Sequence, residues 1–72
     1  MKSQIINIIN SEKFIIFCFK LENGKRAKTY TGKNYRNYAM WSQFKVGDWV
    51  KGLKLKEEKK CLIDADSLVE LL

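Results

Sequence analysis

The chain has no histidine and only two cysteines, and both shortages narrow what it can do. Without imidazole it lacks the commonest general base and the commonest zinc ligand, and two thiols forty-three positions apart do not complete a four-ligand metal site. Long apolar runs are missing too. The longest, Phe14 to Phe19, is far too short for a membrane-spanning helix. No signal-peptide pattern, linker, repeat or low-complexity tract is visible, so residues 1–72 are expected to form one domain of a soluble, cytoplasmic protein. In that compartment Cys18 and Cys61, both in apolar strand-like runs, are expected to be reduced, buried thiols rather than a disulfide.

Size adds a further exclusion. A chain of 72 residues buries only about 60 to 65% of the surface it exposes when unfolded. It has no room for the separate lobes and deep cleft of a typical enzyme, which favours a binding module. No catalytic constellation can be assembled from its residues. The expectation is a protein that is not an enzyme and carries neither cofactor nor metal.

What the chain does have is positive charge, unevenly placed. Its net charge is +6. Lys20 to Lys56 holds ten cations against Glu22 and Asp48, whereas the tail from Glu57 onward holds five acids against Lys59 and Lys60. A basic middle beside an acidic tail suggests a surface that meets a polyanion. Twelve of the fourteen cations are lysine, which lacks the planar fork that reads guanine edges, so contacts should fall on phosphates with little sequence preference. An AT-rich genome would also enrich lysine. The asymmetry of charge is therefore the stronger argument.

Taken in order, Ser3 to Asn10 reads as a strand with four isoleucines. Ile6 and Ile8 are expected on one face and Ile5 and Ile9 on the other, so that part of the strand is buried on both sides. Phe14 to Leu21 reads as a second strand, with Ile15, Phe17, Phe19 and Leu21 on one face and Phe14, Ile16 and Cys18 on the other. Core packing is the simpler role for Phe14 and Ile16, and a stacking platform the alternative. Asn23-Gly24 is a strong hairpin signal. The third strand, Lys25 to Thr31, puts Arg26, Lys28 and Tyr30 on one face and Ala27, Thr29 and Thr31 on the other.

Lys33 to Phe44 is the one stretch where a helix is plausible. Met40, Trp41 and Phe44 suit a lid over the end of a barrel, whereas Tyr35, Arg36 and Tyr38, set among Lys33 and two asparagines, suit base stacking. Lys56 to Lys60 reads as a solvated hairpin loop with a helical turn at its tip. Beyond it, Cys61, Ile63, Ala65, Ser67, Val69 and Leu71 alternate with acids as a last strand.

The stretch from Phe44 to Lys56 organises the whole. Gly47 and Asp48 supply a tight turn, and Trp49 starts a strand whose parity flips at Gly52. One bulged residue there keeps Val50, Leu53 and Leu55 on a continuous apolar face and leaves Trp49, Lys51, Lys54 and Lys56 outside. Phe44-Lys45-Val46-Gly47-Asp48-Trp49-Val50-Lys51-Gly52 resembles the hydrophobic, x, x, Gly-Asp-x-Val entry to the fourth strand in single-stranded-DNA-binding proteins of the OB-fold family. The order strand, strand, strand, short helix, strand, strand is also that of the OB-fold. By motif the resemblance covers about ten residues. It implies an all-β, five-stranded Greek-key barrel with one short helix, whose binding face comprises the second and third strands and the loops Asn10 to Lys13 and Lys56 to Lys60. One departure counts against a replication-type single-strand binder: bacterial members of that family end in a flexible acidic tail, whereas the acids here are expected inside the last strand.

The function expected is low-specificity binding of single-stranded nucleic acid, DNA before RNA. Candidate binding residues are Arg26, Lys28 and Tyr30 on the third strand, Lys33, Tyr35, Arg36 and Tyr38 in the helical segment, and Trp49, Lys51 and Lys54 on the fourth strand. The rival is a protein-interaction module of phage or plasmid type whose basic face meets an acidic protein surface. An SH3-like barrel with the same chemistry on other strands is a further alternative. Exposed strand edges make a homodimer an additional expectation.

Overall fold

In the computed structural model, residues 2–59 and 61–72 are described. The strands are β1 (Ser3–Asn10), β2 (Phe14–Leu21), β3 (Arg26–Gly32), β4 (Trp49–Lys51) and β5 (Glu70–Leu71), with the helix α1 (Tyr38–Ser42) between β3 and β4. All neighbouring strands pair antiparallel, in the order β3-β2-β1-β4-β5. The sheet so defined is open. The expected all-β class with five strands and one short helix is observed, whereas these ladders do not close the expected Greek-key barrel, and the fifth strand lies at the end of the chain.

The alternation expected of β2 is observed, with Ile15, Phe17, Phe19 and Leu21 all buried. Each such side chain contributes about 1.5 to 3 kcal/mol when fully removed from water. Ala27, Thr29 and Thr31 of β3 line the same inner face. Small residues fit there because Trp41 fills the space above the sheet. Its ring is wholly buried, with centroids 5.5 Å from Phe17, 6.3 Å from Phe19 and 6.1 Å from Phe44. The indole Nε1 donates to the Ala65 carbonyl at 3.0 Å, which satisfies its one polar group inside the core.

β1 departs from its expected parity. Ile5 pairs with Phe19 while Asn7 pairs with Cys18, so Ile6 is an extra, bulged residue. A bulge of one residue reverses the faces beyond it. Ile5 is therefore buried and Ile8 packs on the core, whereas Ile9 is exposed.

Gly24, Gly47 and Gly52 have positive φ. Gly52 flips parity as expected, for Val50 and Leu53 on either side of it are both buried. The Gly47-Asp48 turn closes on itself, the Lys45 amide donating to Asp48 Oδ2 at 2.8 Å and the Asp48 amide to the Lys45 carbonyl at 3.1 Å. It is also stitched to β1, through Gly47 N–H to the Ile5 carbonyl at 2.8 Å and Ile5 N–H to the Asp48 carbonyl at 3.0 Å.

The long last strand expected over 61–71 is broken. A turn at Asp64, held by Ser67 N–H and Ser67 Oγ both donating to the Asp64 carbonyl at 3.0 and 2.6 Å, separates two short pieces. The first, residues 61–63, meets β3 in a parallel bridge, Lys28 to Leu62, and an outer segment in an antiparallel one, Leu55 to Ile63. The second is β5. Of the loop expected over 56–60, Lys60 lies outside the described residues. Cys61 is exposed and Cys18 half-buried, so the expectation of two buried thiols is corrected. No helix among the described residues is long and apolar enough to cross a membrane.

Candidate nucleic-acid interface

Strand register decides which outward residues become neighbours. Trp49 pairs with Gln4, Gln4 with Lys20 and Lys20 with Arg26, forming one row across β4, β1, β2 and β3. The next outward row on the three long strands is Asn7, Cys18 and Lys28, and the one after it Ile9, Ile16 and Tyr30. The row between the first two, Ile5, Phe19 and Ala27, is buried. An outer face thus carries an indole at one corner, a phenol near the opposite corner, and Lys20, Arg26 and Lys28 between them.

Both rings are open to solvent, Trp49 at 52% and Tyr30 at 54% exposed. Ile9 and Phe14 add exposed apolar surface beside Tyr30. Two hollows indent the face. One of about 420 Å³ is walled by Arg26, Lys28 and Tyr30 on β3 and by Cys61 beyond them, with Ile6, Asn7 and Cys18 on its other side. The other, of about 620 Å³, lies between Trp49, Gln4 and Lys20 and the Glu22 to Gly24 turn.

The remaining candidates from the sequence are elsewhere. Lys51 lies one step beyond the Trp49 row, with its ammonium 4.0 Å from Glu70 Oε2. Lys54 lines a separate hollow of about 490 Å³ with Glu57, Glu58 and Asp64. Lys33 is partly buried, its amide donating to the Lys13 carbonyl at 2.9 Å. Tyr38, expected to suit base stacking, is partly buried and packs against the core.

Tyr35 and Arg36 have a partner the sequence did not reveal. The Tyr35 hydroxyl donates to Asp66 Oδ1, and Arg36 Nη2 reaches the same oxygen at 2.9 Å. The guanidinium also sits 5.7 Å from the Tyr35 ring centroid. Donation by Tyr35 and then by Arg36 holds the Asp66 carboxyl below its ordinary value, and the same bond to Asp66 raises the Tyr35 phenol. This exposed cluster ties the segment before α1 to the turn at Asp64.

Gln4, Lys20 and Asn7 were missed as site residues. The outward parity of Lys20 was readable, but the bulge at Ile6 that puts Gln4 and Asn7 on one face, and the row that joins Gln4 and Lys20 to Trp49, depend on register between strands distant in sequence. Among the described residues no cluster of three or more histidine, cysteine, aspartate or glutamate side chains could hold a metal ion. The face offers cations, aromatic rings and apolar hollows, a combination suited to recognition. No protein-family model matches the chain, and neither does any curated protein or solved structure.

Proposed function

We propose that the protein is an OB-like module that binds single-stranded nucleic acid with little sequence specificity on the outer face of β1, β2 and β3. The observation that carries the proposal is the cross-strand row from Trp49 to Arg26. It sets an exposed indole on the same face as three cations and Tyr30, so bases would stack on the rings while phosphates lie along Lys20, Arg26 and Lys28. Stacking needs unpaired bases, which favours single strands over duplex.

Support for an OB-like ring comes from the piece at 61–63. The Ile63 amide donates to the Lys28 carbonyl at 2.7 Å on one side, and the Lys56 amide donates to the Leu62 carbonyl at 2.9 Å on the other. A hydrogen-bonded path therefore runs from β3 through 61–63 to the segment that continues β4, and β4 pairs with β1. A ring of five strands cannot be antiparallel at every joint, because five is odd. The parallel Lys28 to Leu62 bridge meets that condition, which supports the OB-like reading.

The test is amide chemical-shift mapping with an oligo-dT strand. Shifts concentrated on Gln4, Asn7, Lys20, Arg26, Lys28, Tyr30 and Trp49 are expected. Shifts confined to Tyr35, Arg36 and the 54–58 region, or none at all, would remove this reading.

A further inference from the structure

β5 ends the sheet order, and among the described elements it meets only β4. Its other edge is open. Around that edge the chain exposes three leucines, Leu68 at 79%, Leu71 at 55% and Leu72 at 58%. An apolar strand edge of this kind is a template for pairing with another strand.

Register fixes which backbone groups face outward. The Leu72 amide donates to the Trp49 carbonyl at 3.0 Å, and the Leu68 carbonyl oxygen would stand 2.2 Å from a Cβ on Gly52. Glu70 is the ladder partner of Lys51. Residues 68, 70 and 72 thus turn their backbone groups toward β4 and the segment that continues it. Because these groups alternate sides along a strand, the N–H and C=O of Val69 and Leu71 point to the open edge. Among the described residues no backbone hydrogen bond reaches them from that side.

This pattern complements itself under a two-fold axis. With the axis at Glu70, Val69 meets the second copy's Leu71 and Leu71 meets its Val69, so that four N–H and four C=O groups are satisfied by four hydrogen bonds. On the outer face Leu68 meets the second copy's Leu72, and the reverse. The one unfavourable pair is Glu70 against its own copy, and each carboxylate keeps Lys51, 4.0 Å away, on its other side. An axis one residue further on would set Leu72 against Glu70 instead of Leu68. The arrangement at Glu70 therefore gives every exposed leucine an apolar partner.

We propose that β5 is a dimer interface, pairing antiparallel with β5 of a second copy of this chain about a two-fold axis at Glu70. The two outer faces then join as one surface, with each Trp49 on a strand three spacings, about 14 to 15 Å, from the other. A long single strand could engage both, a consequence that rests on the nucleic-acid reading.

Sedimentation velocity of the full chain over a concentration series should show a mass that doubles as concentration rises. The Leu68→Asp, Leu72→Asp double variant should stay monomeric with the parent's circular dichroism spectrum. Cross-linking reads the register, in chains whose Cys18 and Cys61 are replaced by Ser. Glu70→Cys should form an intermolecular disulfide with itself, since the axis sets its two α-carbons about 4.5 Å apart, within disulfide range. Leu68→Cys and Leu72→Cys should each cross-link little alone and readily when mixed. A monomer at every concentration would overturn the proposal and leave the edge to a different protein. So would a Glu70→Cys chain that does not cross-link, or Leu68→Cys linking to itself as readily as to Leu72→Cys. None of these readings uses nucleic acid, so they stand whether or not the chain binds oligo-dT. The disulfide-linked Glu70→Cys dimer should bind long oligo-dT roughly tenfold or more tightly than the same variant reduced and diluted to monomer. Equal affinity overturns the shared surface alone, and no binding by either form overturns the nucleic-acid reading together with it.

Discussion

Trp49 and Arg26 stand at the two ends of one cross-strand row, with Gln4 and Lys20 between them. Twenty-three positions separate them in the chain, and the register of three ladders brings them onto one surface. The row joins an exposed indole to two cations, Lys20 and Arg26, and the two tryptophans are opposite in character.

Trp49 is half exposed on β4, whereas Trp41 is wholly buried. Trp49→Ala and Tyr30→Ala should each weaken single-strand binding by about 1 to 3 kcal/mol and leave the thermal melt nearly unchanged. Trp41→Ala should cost about 3 to 5 kcal/mol of stability, enough to unfold most of a domain this small. Circular dichroism melts beside oligonucleotide titrations of the three variants check both statements.

Lys20 lies on the second strand, part of the binding face the resemblance implied, but was not among the candidate residues. Each neutralised phosphate of a single strand contributes a slope of roughly −0.7 in log K against log salt. With Lys20, Arg26 and Lys28 engaged, the slope should be about −2, and Lys20→Gln should flatten it by about 0.7. Lys54→Gln, in its separate hollow, should change the slope little.

Gly52 has φ +93, and a Cβ there would lie 2.2 Å from the Leu68 carbonyl oxygen. Gly52→Ala should therefore destabilise the fold by about 1 to 3 kcal/mol or more, since backbone must shift as well as strain. Gly24 also has positive φ but no atom near its missing Cβ, so Gly24→Ala should be the milder change. Urea midpoints of the two variants measure the difference.

The cluster at Asp66 sets a pH dependence at both ends. The carboxyl is held down by Tyr35 and Arg36, so its contribution is present above the ordinary carboxylate range and lost as pH falls through the lowered value. The phenol of Tyr35 is raised. Its contribution is present below its ordinary value near 10 and lost as pH rises through the raised one. Asp66→Asn should accordingly be less stable than the parent at neutral pH, with the gap closing in strong acid. Melts across the pH range follow that gap.

The parts of this molecule written in local pattern were legible from the sequence. β2 alternates because its residues do, Asn23-Gly24 makes a hairpin, and Gly52 flips parity where the apolar spacing changes. What failed depended on distant partners or on a local turn that overrides alternation. The bulge at Ile6 comes from pairing with β2, and nothing in the isoleucine pairs marks it. Cys61 to Leu71 alternates like a strand, yet Asp64 and Ser67 form a turn that breaks it, and Asp66 leaves the sheet to meet Tyr35 and Arg36. Trp49 and Tyr30 were readable as outward residues. Their shared face with Lys20 and Gln4 required the register.

The central claim is that Trp49 stacks on unpaired bases, and tryptophan emission during titration with oligo-dT tests it most directly, because Trp41 is sealed in the core. Saturable quenching that weakens as salt rises, is far smaller with duplex of the same length, and disappears in Trp49→Phe is the expected result. Emission that does not change, or that changes equally with duplex and in the Trp49→Phe variant, would contradict the account.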